Sequence, residues 1–492
     1  MRIVFVASEG VPFSKTGGLA DVVGALPRAL AAGGHEVSVI LPRYRMTKPR
    51  PVLPEFKSIT MPLASGFKFA SLQDGGEAGG VRTFLVDCPE FFDRDNLYME
   101  DGRDYLDNAQ RFAAFSLASL ELMKRLPNAP DVIHCHDWQS ALVPVYLRSL
   151  YRNDGYFRKT SVVFTIHNLA YQGLFPPSVL AEISLDWSLF NIHGLEYYGN
   201  VSFLKGGVIF SDFVTTVSRK YAEEIQTTEF GCGLEGVLKS RSDRLQGILN
   251  GVDYEAWNPE SDKLIPANYS SRDLEGKQAC KKALLERMGA QNPRLDLPVI
   301  GIVSRFATQK GFDLIAGVAE ELAAMDLYVV ALGTGEPQYE VLFRTFASNH
   351  PEKFLVKVAY DNTLAHQIEA GADMFLMPSR YEPCGLNQIY SMKYGTVPVV
   401  RATGGLDDTV EAFDGKTGTG FKFGEYSPEA LLATIREAVE TYRQPKQWRQ
   451  LMQNCMRKDF SWASSAKQYI KIFQGLQKAK TGIKTAEKAS NA

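Results

Sequence analysis

Short apolar runs recur along the chain with helically spaced stretches between them, and this alternation sets the first expectation about the fold. Residues 3–7, 37–41, 81–86, 132–135, 162–166, 213–217 and 245–249 are each mostly β-branched or aliphatic and read as strands. Between most of them the apolar positions return at helical spacing, as over 19–32 and 105–126. Strands that are apolar throughout, rather than alternating, suit a mostly parallel sheet covered on both faces. After Asn250, Gly251, Val252 and Asp253 a polar, proline-bearing segment over 257–272 reads as a crossing between domains. A second series then begins, with strands expected at 299–303, 328–332, 354–358, 374–377 and 397–400. The pattern predicts an α/β protein of two doubly wound, Rossmann-like domains, 1–253 and 254–460. A last helix over 461–475 is expected to cross back to the first domain, with a flexible tail over 476–492.

The stretch 377–410 concentrates the signals. An apolar run ends at Pro378, a turn carries Arg380, Glu382, Cys384 and Gly385, and apolar residues then return at helical spacing from Leu386. A β-branched run follows, and after it Thr403, Gly404, Gly405 and Leu406 open a second helix. Two helix starts on one sheet edge, with free N–H groups and favourable dipoles, suit an anionic ligand such as phosphate. The first half repeats the motif: Thr16, Gly17, Gly18 and Leu19 with Asp21 echo Thr403 to Leu406 with Asp407. A ligand held in a cleft between the two domains is the expectation.

Composition narrows the classes. A chain of 492 residues exceeds one ordinary core. The formal net charge of −2 gives no global attraction to nucleic acid or an anionic membrane, so any anion site must be local. Six cysteines lie scattered without a C-x-x-C pair, which suits reduced thiols in the cytoplasm. The N-terminal run reaches its Ser-Glu-Gly turn too early for a signal peptide, and no run is long enough for a membrane span. The first glycine turn is not G-x-G-x-x-G, and Pro42, Arg43 and Tyr44 close the second strand where a dinucleotide site needs an acid. A dinucleotide oxidoreductase is therefore disfavoured.

Candidate chemistry follows from these placements. Arg305 and Lys310, on either side of a strand-to-helix turn, suit a diphosphate whose charge grows as it departs; the plain alternative is two exposed cations. Lys15 beside Gly17 and Gly18 follows the same logic, against an ordinary turn. Glu382 either complements a helix dipole or accepts hydrogen bonds from sugar hydroxyls. His167 and Asn168 close a strand where ligands gather, although a lone histidine is more often structural. His134 and His136 share a strand face, but no further ligands with zinc spacing follow, so metal is disfavoured. Asp93-Arg94-Asp95 is a short match to the D-x-D of metal-dependent sugar transferases and carries little weight. Trp138, Tyr98 and Tyr171 suit either sugar stacking or core packing.

Taken together, KTGGLADV near the N-terminus, HDW at 136–138, His167-Asn168, SRFATQKG, the 377–410 stretch and FSW at 460–462 resemble bacterial glycogen synthase and its plant relative starch synthase. The resemblance runs in order over nearly the whole chain. It implies the GT-B architecture, two Rossmann-like domains facing across a cleft, and transfer of glucose from ADP-glucose to the non-reducing end of an α-1,4-glucan such as glycogen, with retention. It implies no metal and no cofactor. By motif, Lys15, Gly17 and Gly18 resemble the nucleotide-sugar loop, and Arg305 and Lys310 the diphosphate pair. Glu382, Cys384, Gly385 and Leu386 match the glucose turn. His167 and Asn168 lie beside the transferred glucose, Asp137 and Asn250 match further positions of the cleft, and Thr403, Gly404 and Gly405 sit against the phosphates. The expected catalytic set is Glu382, Arg305, Lys310 and His167, acting by front-face transfer because no carboxylate in these motifs is an obvious nucleophile. Many retaining GT-B enzymes carry a second Glu eight residues after the first. Here that position is Tyr390; glycogen and starch synthases also lack that Glu, which points away from relatives that make sucrose or trehalose. Two rivals remain, a UDP-glucose-dependent glucan synthase and a non-catalytic glucan-binding protein.

Overall fold

The computed structural model describes residues 1–63 and 66–490. The chain divides into two compact units. The first comprises Met1–Val217, Ala222–Gly251 and Trp462–Ala492, and the second Val252–Ser461 with the short segment Ser218–Tyr221.

The first unit is built on one nine-stranded sheet. Its strands are β1 (Arg2–Val6), β2 (Glu36–Pro42), β3 (Ile59–Leu63), β4 (Gly66–Ala78), β5 (Val81–Asp87), β6 (Val132–His136), β7 (Ser161–Ile166), β8 (Phe213–Thr216) and β9 (Leu245–Gly247). Their order is β9-β8-β7-β6-β1-β2-β5-β4-β3. All neighbours from β9 to β5 are parallel, and β5, β4 and β3 pair antiparallel. Every residue of β6 and β7 is buried, which is why these segments read as unbroken apolar runs rather than alternating ones. Helix α1 (Gly18–Ala32) buries Leu19, Val22, Val23, Leu26 and Leu30 against β1 and β2. The C-terminal helix Trp462–Ser490 brings Trp462, Ala466, Tyr469, Ile472 and Phe473 into the same cluster. Each large side chain buried there contributes about 1.5–3 kcal/mol. The chain can leave this unit at Gly251 and re-enter at Trp462 only because Gly251 lacks a side chain: a Cβ there would sit 2.6 Å from the Trp462 Cα.

Two features depart from the sequence reading. The pair β3 and β4 was not anticipated; β4 carries Asp74, Gly75 and Gly76, a composition typical of turns, as a bulge inside the strand. The C-terminal helix also continues past residue 476 to Ser490, through Lys- and Ala-rich sequence of good helix propensity that had read as a flexible tail. The last two residues of that tail lie outside the described residues.

The second unit has one six-stranded, wholly parallel sheet: β10 (Val299–Val303), β11 (Tyr328–Gly333), β12 (Phe354–Val358), β13 (Met374–Met377), β14 (Val397–Arg401) and β15 (Phe421–Phe423). Its order, β12-β11-β10-β13-β14-β15, is the Rossmann order, with the topological switch between β10 and β13. Both faces are covered. One carries the cluster of Ile300, Ile302, Phe312, Leu376, Val399 and Ile435, the other that of Leu285, Val330, Leu364, Ile368 and Phe375. Among the described residues, no helix is long and apolar enough to cross a membrane.

Candidate active site

In the second unit the switch point decides which loops meet. Strands β10 and β13 are parallel neighbours, with Ile300 beside Met374, so the loops leaving their C-terminal ends share one sheet edge. The first loop carries Arg305 and Lys310 and enters α2 (Phe312–Gly317) through Gly311, at φ 76°. A Cβ on Gly311 would stand 2.1 Å from the Pro378 carbonyl oxygen, so glycine lets the two loops touch. The Arg380 N–H donates to the Gln309 carbonyl at 2.9 Å and ties them further. Lys310 Nζ then lies 2.6 Å from Glu382 Oε2, which also accepts from Ser379 Oγ at 3.0 Å. The Glu382 side chain is only 7 % exposed and that of Lys310 20 %, so this ion pair is largely shielded from water. Arg305 is exposed on the same loop and donates from Nη2 to Gln309 Oε1 at 3.3 Å.

The turn after Glu382 is locked from the next strand's loop. The Gly405 N–H donates to the Glu382 carbonyl at 3.0 Å. A Cβ on Gly404, where φ is 44°, would meet that carbonyl oxygen at 1.9 Å, and one on Gly405 would meet the Cys384 carbonyl at 2.0 Å. The glycine pair at the start of α4 (Gly404–Thr409) is therefore required by the protein's own backbone, and the Gly405 amide expected to face phosphate is occupied internally. The preceding helix α3 (Asn387–Lys393) starts after Gly385, at φ 69°, and Leu386, which packs on the core. Buried Cys384 and Gly385 both offer their carbonyls to Gln388 Nε2, at 3.1 and 3.0 Å.

In the first unit the sheet order turns at β1 and β6, and the C-terminal ends of β1, β6, β7 and β9 carry the predicted residues. The loop after β1 holds Lys15, whose Nζ pairs with Asp21 Oδ1 at 2.7 Å on the surface. Gly17 is extended at φ −155°, and a Cβ there would meet nothing within 4 Å. Its position before Gly18 opens α1 as expected, but a residue not anticipated fills the loop from behind. Glu9, 4 % exposed, accepts the Thr16 N–H, the Thr16 hydroxyl at 2.9 Å and the Gly17 N–H. Burial raises its pKa and these hydrogen bonds oppose the rise. The loop amides read as phosphate donors are thus partly spent on an internal carboxylate, leaving the Lys15 ammonium as the loop's positive group. Glu9 lies shortly after β1, beyond Ala7 and Ser8, at the switch edge; that location was its only sequence signal.

Asp137, at φ 54° after β6, reaches across to β7 and accepts the His167 N–H at 2.7 Å, with the Asn168 N–H also bonded to it. Burial pushes its pKa up to about 7 against the pull of those two amides. The His167 ring is 2.9 Å from His136, Nε2 to Nδ1, and burial lowers the His167 pKa to about 3, so the ring is neutral. Asn168 Oδ1 accepts the Ala170 N–H at 3.1 Å. Asn250 Oδ1, beyond β9, is buried and has no hydrogen-bond partner among the described residues.

Most of the remaining sequence candidates pack or pair within the protein. Trp138 packs edge-on against Phe112 and beside Phe175 and Phe203. Tyr98 is a buried brace, with its hydroxyl 2.7 Å from Ser8 Oγ. Tyr171 stays half exposed. Asp93 and Asp95 both bind Arg45, while Arg94 binds Asp107. Among the described residues, no group of three or more His, Cys, Asp or Glu side chains is placed to hold a metal ion.

Two Rossmann-like domains, with cations and a buried carboxylate at one switch point and histidine, asparagine and carboxylate groups at the other, define the GT-B class of glycosyltransferase fold. Comparison with known proteins narrows this. The starch synthase catalytic domain family matches residues 2–240, and glycosyl transferases group 1 matches residues 286–454. The chain is 56 % identical over 476 residues to a glycogen synthase of Koribacter versatilis, covering 96 % of this chain and 98 % of that one. It is 47 % identical to a glycogen synthase of an Anaeromyxobacter species, covering 97 % and 99 %. The solved catalytic domain of starch synthase IV from Arabidopsis thaliana, bound to ADP and acarbose, superposes with a TM-score of 0.89 at 33 % identity, covering 96 % of this chain and 99 % of that one. The chain belongs to the glycogen and starch synthase family of glycosyltransferases.

Proposed function

We propose that this enzyme transfers glucose from ADP-glucose to the non-reducing end of an α-1,4-glucan, with retention, in the cytoplasm. The observation that carries the proposal is the shielded Lys310–Glu382 pair at the switch point between β10 and β13. A cation and a carboxylate held side by side match a ligand with adjacent anionic and hydroxylic parts, as a sugar diphosphate has. Lys310 and exposed Arg305 take the diphosphate, and Glu382, relieved of its partner, accepts hydrogen bonds from the glucose hydroxyls. Cys384, Gly385 and Leu386 shape the sugar turn, while Thr403, Gly404 and Gly405 hold it in place. Lys15 with Gly17 and Gly18 adds a second positive loop. His167, Asn168, Asp137 and Asn250 serve the transferred glucose and the acceptor.

The reaction breaks the bond from the anomeric carbon to the diphosphate oxygen. Negative charge grows on the departing ADP, and Arg305 and Lys310 stabilise it more in the transition state than in the ground state. Glu382 pairs with Lys310 before substrate enters and keeps the Ser379 hydroxyl, and in the bound state it holds the glucose hydroxyls rather than attacking the anomeric carbon. The acceptor hydroxyl enters on the face that ADP leaves and passes its proton to the departing diphosphate oxygen, an oxocarbenium-like sugar lies between them, and the configuration is kept. The similarity to a starch synthase bound to ADP and acarbose supports an adenine-nucleotide donor and a glucan acceptor.

Competition between ADP-glucose and UDP-glucose, with glycogen as acceptor, tests this. ADP-glucose should support the faster chain elongation. Preference for UDP-glucose overturns the donor assignment. Glycogen binding without ADP release identifies a non-catalytic glucan-binding protein instead.

A further inference from the structure

Next to His167 stands a histidine that the proposed reaction does not use. His136 is the last residue of β6, fully buried, with its ring stacked on Phe5 at 5.4 Å between centroids. Its Nδ1 lies 2.9 Å from His167 Nε2, and its own Nε2 is buried without any hydrogen-bond partner among the described residues. The neighbouring residue, Asp137, holds the His167 backbone N–H at 2.7 Å. The two consecutive side chains therefore grip His167 twice, one by its main chain and one by its ring.

The orphaned nitrogen decides where the protons sit. Burial lowers the pKa of both rings, so each is neutral and carries one ring proton. If His167 donated from Nε2, His136 would have to keep its own proton on Nε2, as a buried N–H with nothing to receive it. Among backbone groups, orphaned buried N–H donors are rarer in folded proteins than under-satisfied carbonyls, and a buried ring N–H without an acceptor carries the same kind of penalty. With the proton on Nδ1, His136 instead donates to His167 Nε2 and leaves only a bare buried nitrogen. His134 follows the same pattern: its Nε2 lies 2.6 Å from Thr165 Oγ1 and its Nδ1 is the unpartnered atom.

We propose that His136 is a positioning residue that holds His167 as its Nδ1–H tautomer, so that His167 meets substrate as a neutral hydrogen-bond donor. This rests on the reading that His167 contacts the sugar. The ring contributes a directed N–H to a sugar or phosphate oxygen and exchanges no proton during transfer.

The test combines spectroscopy with a rescue. In full-length protein labelled with [15N]histidine, protonated and bare ring nitrogens have well-separated 15N shifts, and single His substitutions assign them. Nδ1 should be protonated and Nε2 bare in both His136 and His167. His136→Asn keeps an amide donor near the position of Nδ1 and should hold kcat within about threefold, with the His167 tautomer unchanged. His136→Leu should lower kcat by about tenfold or more, with the KM for donor changed less. Should the leucine variant fail to fold, the tautomers of the unsubstituted protein and of His136→Asn still decide. A proton on His167 Nε2, or a folded His136→Leu variant with undiminished kcat, overturns the proposal. Correct tautomers in a protein that transfers no glucose would support this assignment and sink the proposed function.

Discussion

Replacing Lys310 by Met removes the charge while keeping most of the side chain's length, and the structure says what that costs. In the folded enzyme Lys310 Nζ is 2.6 Å from Glu382 Oε2, with both side chains mostly covered. At an effective dielectric near 20 the bare attraction is about 6 kcal/mol. Desolvation of the two groups offsets much of it, leaving a net value of about 1–3 kcal/mol. Lys310→Met strands the carboxylate with only the Ser379 hydroxyl, so unfolding in urea should show a loss in that range. Adding Glu382→Gln removes the stranded charge and should recover most of the stability. Turnover should not follow. The single variant lacks a cation on the leaving diphosphate and should lose about a hundredfold or more in ADP release, about 2.7 kcal/mol of transition-state stabilisation. The double variant should be slower still. A Lys310→Met enzyme as stable as the parent, turning over within threefold of it, would refute both the coupling and the diphosphate role.

The two glycine loops give opposite expectations. Gly17→Ala places a Cβ in open space and should melt like the parent, so any rise in the KM for donor reports a ligand at that loop. Gly404→Ala drives a Cβ into the Glu382 carbonyl at a positive φ and should lower stability by about 2–4 kcal/mol in chemical denaturation, with turnover falling as the Glu382 turn shifts. Asp137 has its folded pKa raised by burial to about 7. Its contribution to stability is therefore fully present below about pH 4 and is lost as pH rises to about 7, by on the order of 2–4 kcal/mol. Asp137→Asn should flatten that slope in urea titrations at a series of pH values; an identical pH profile would contradict it. The buried histidines act the other way. His134 and His167, each lowered by burial to about 3, contribute stability that is present above about pH 6.5 and lost as pH falls. Unfolding at pH 5 should take up protons at these rings, and His134→Gln should remove one of them.

The strands were legible because buried parallel strands are apolar at every position, and 299–303, 354–358 and 374–377 match to the residue. The antiparallel pair β3 and β4 was not, since a strand with a glycine bulge has the composition of a turn. For the site, the sequence located Lys310 and Glu382 on loops of one sheet edge but assigned them to separate parts of the ligand. That they bind each other depends on the approach of Gly311 to Pro378, a distance no local pattern encodes. The glycine pairs were read as openings for phosphate. One of them, Gly404-Gly405, makes room for neighbouring carbonyls, and the amides before the other are held by Glu9. Glycine marks close approach, but the sequence does not say whether a ligand or the chain itself approaches. Glu9 escaped notice, and His136 was weighed only as a metal ligand, because a buried carboxylate and a buried imidazole reveal their roles only through partners distant in sequence.

The most direct measurement of the central claim is the fate of labelled glucose from ADP-[14C]glucose incubated with the enzyme and glycogen. ADP-glucose-dependent transfer to α-1,4 ends places label in the polymer at a kcat/KM at least tenfold above that with UDP-[14C]glucose, released as maltose by β-amylase, which trims α-1,4-linked non-reducing ends. Label that stays out of the polymer, or that enters it in a linkage β-amylase cannot release, contradicts it.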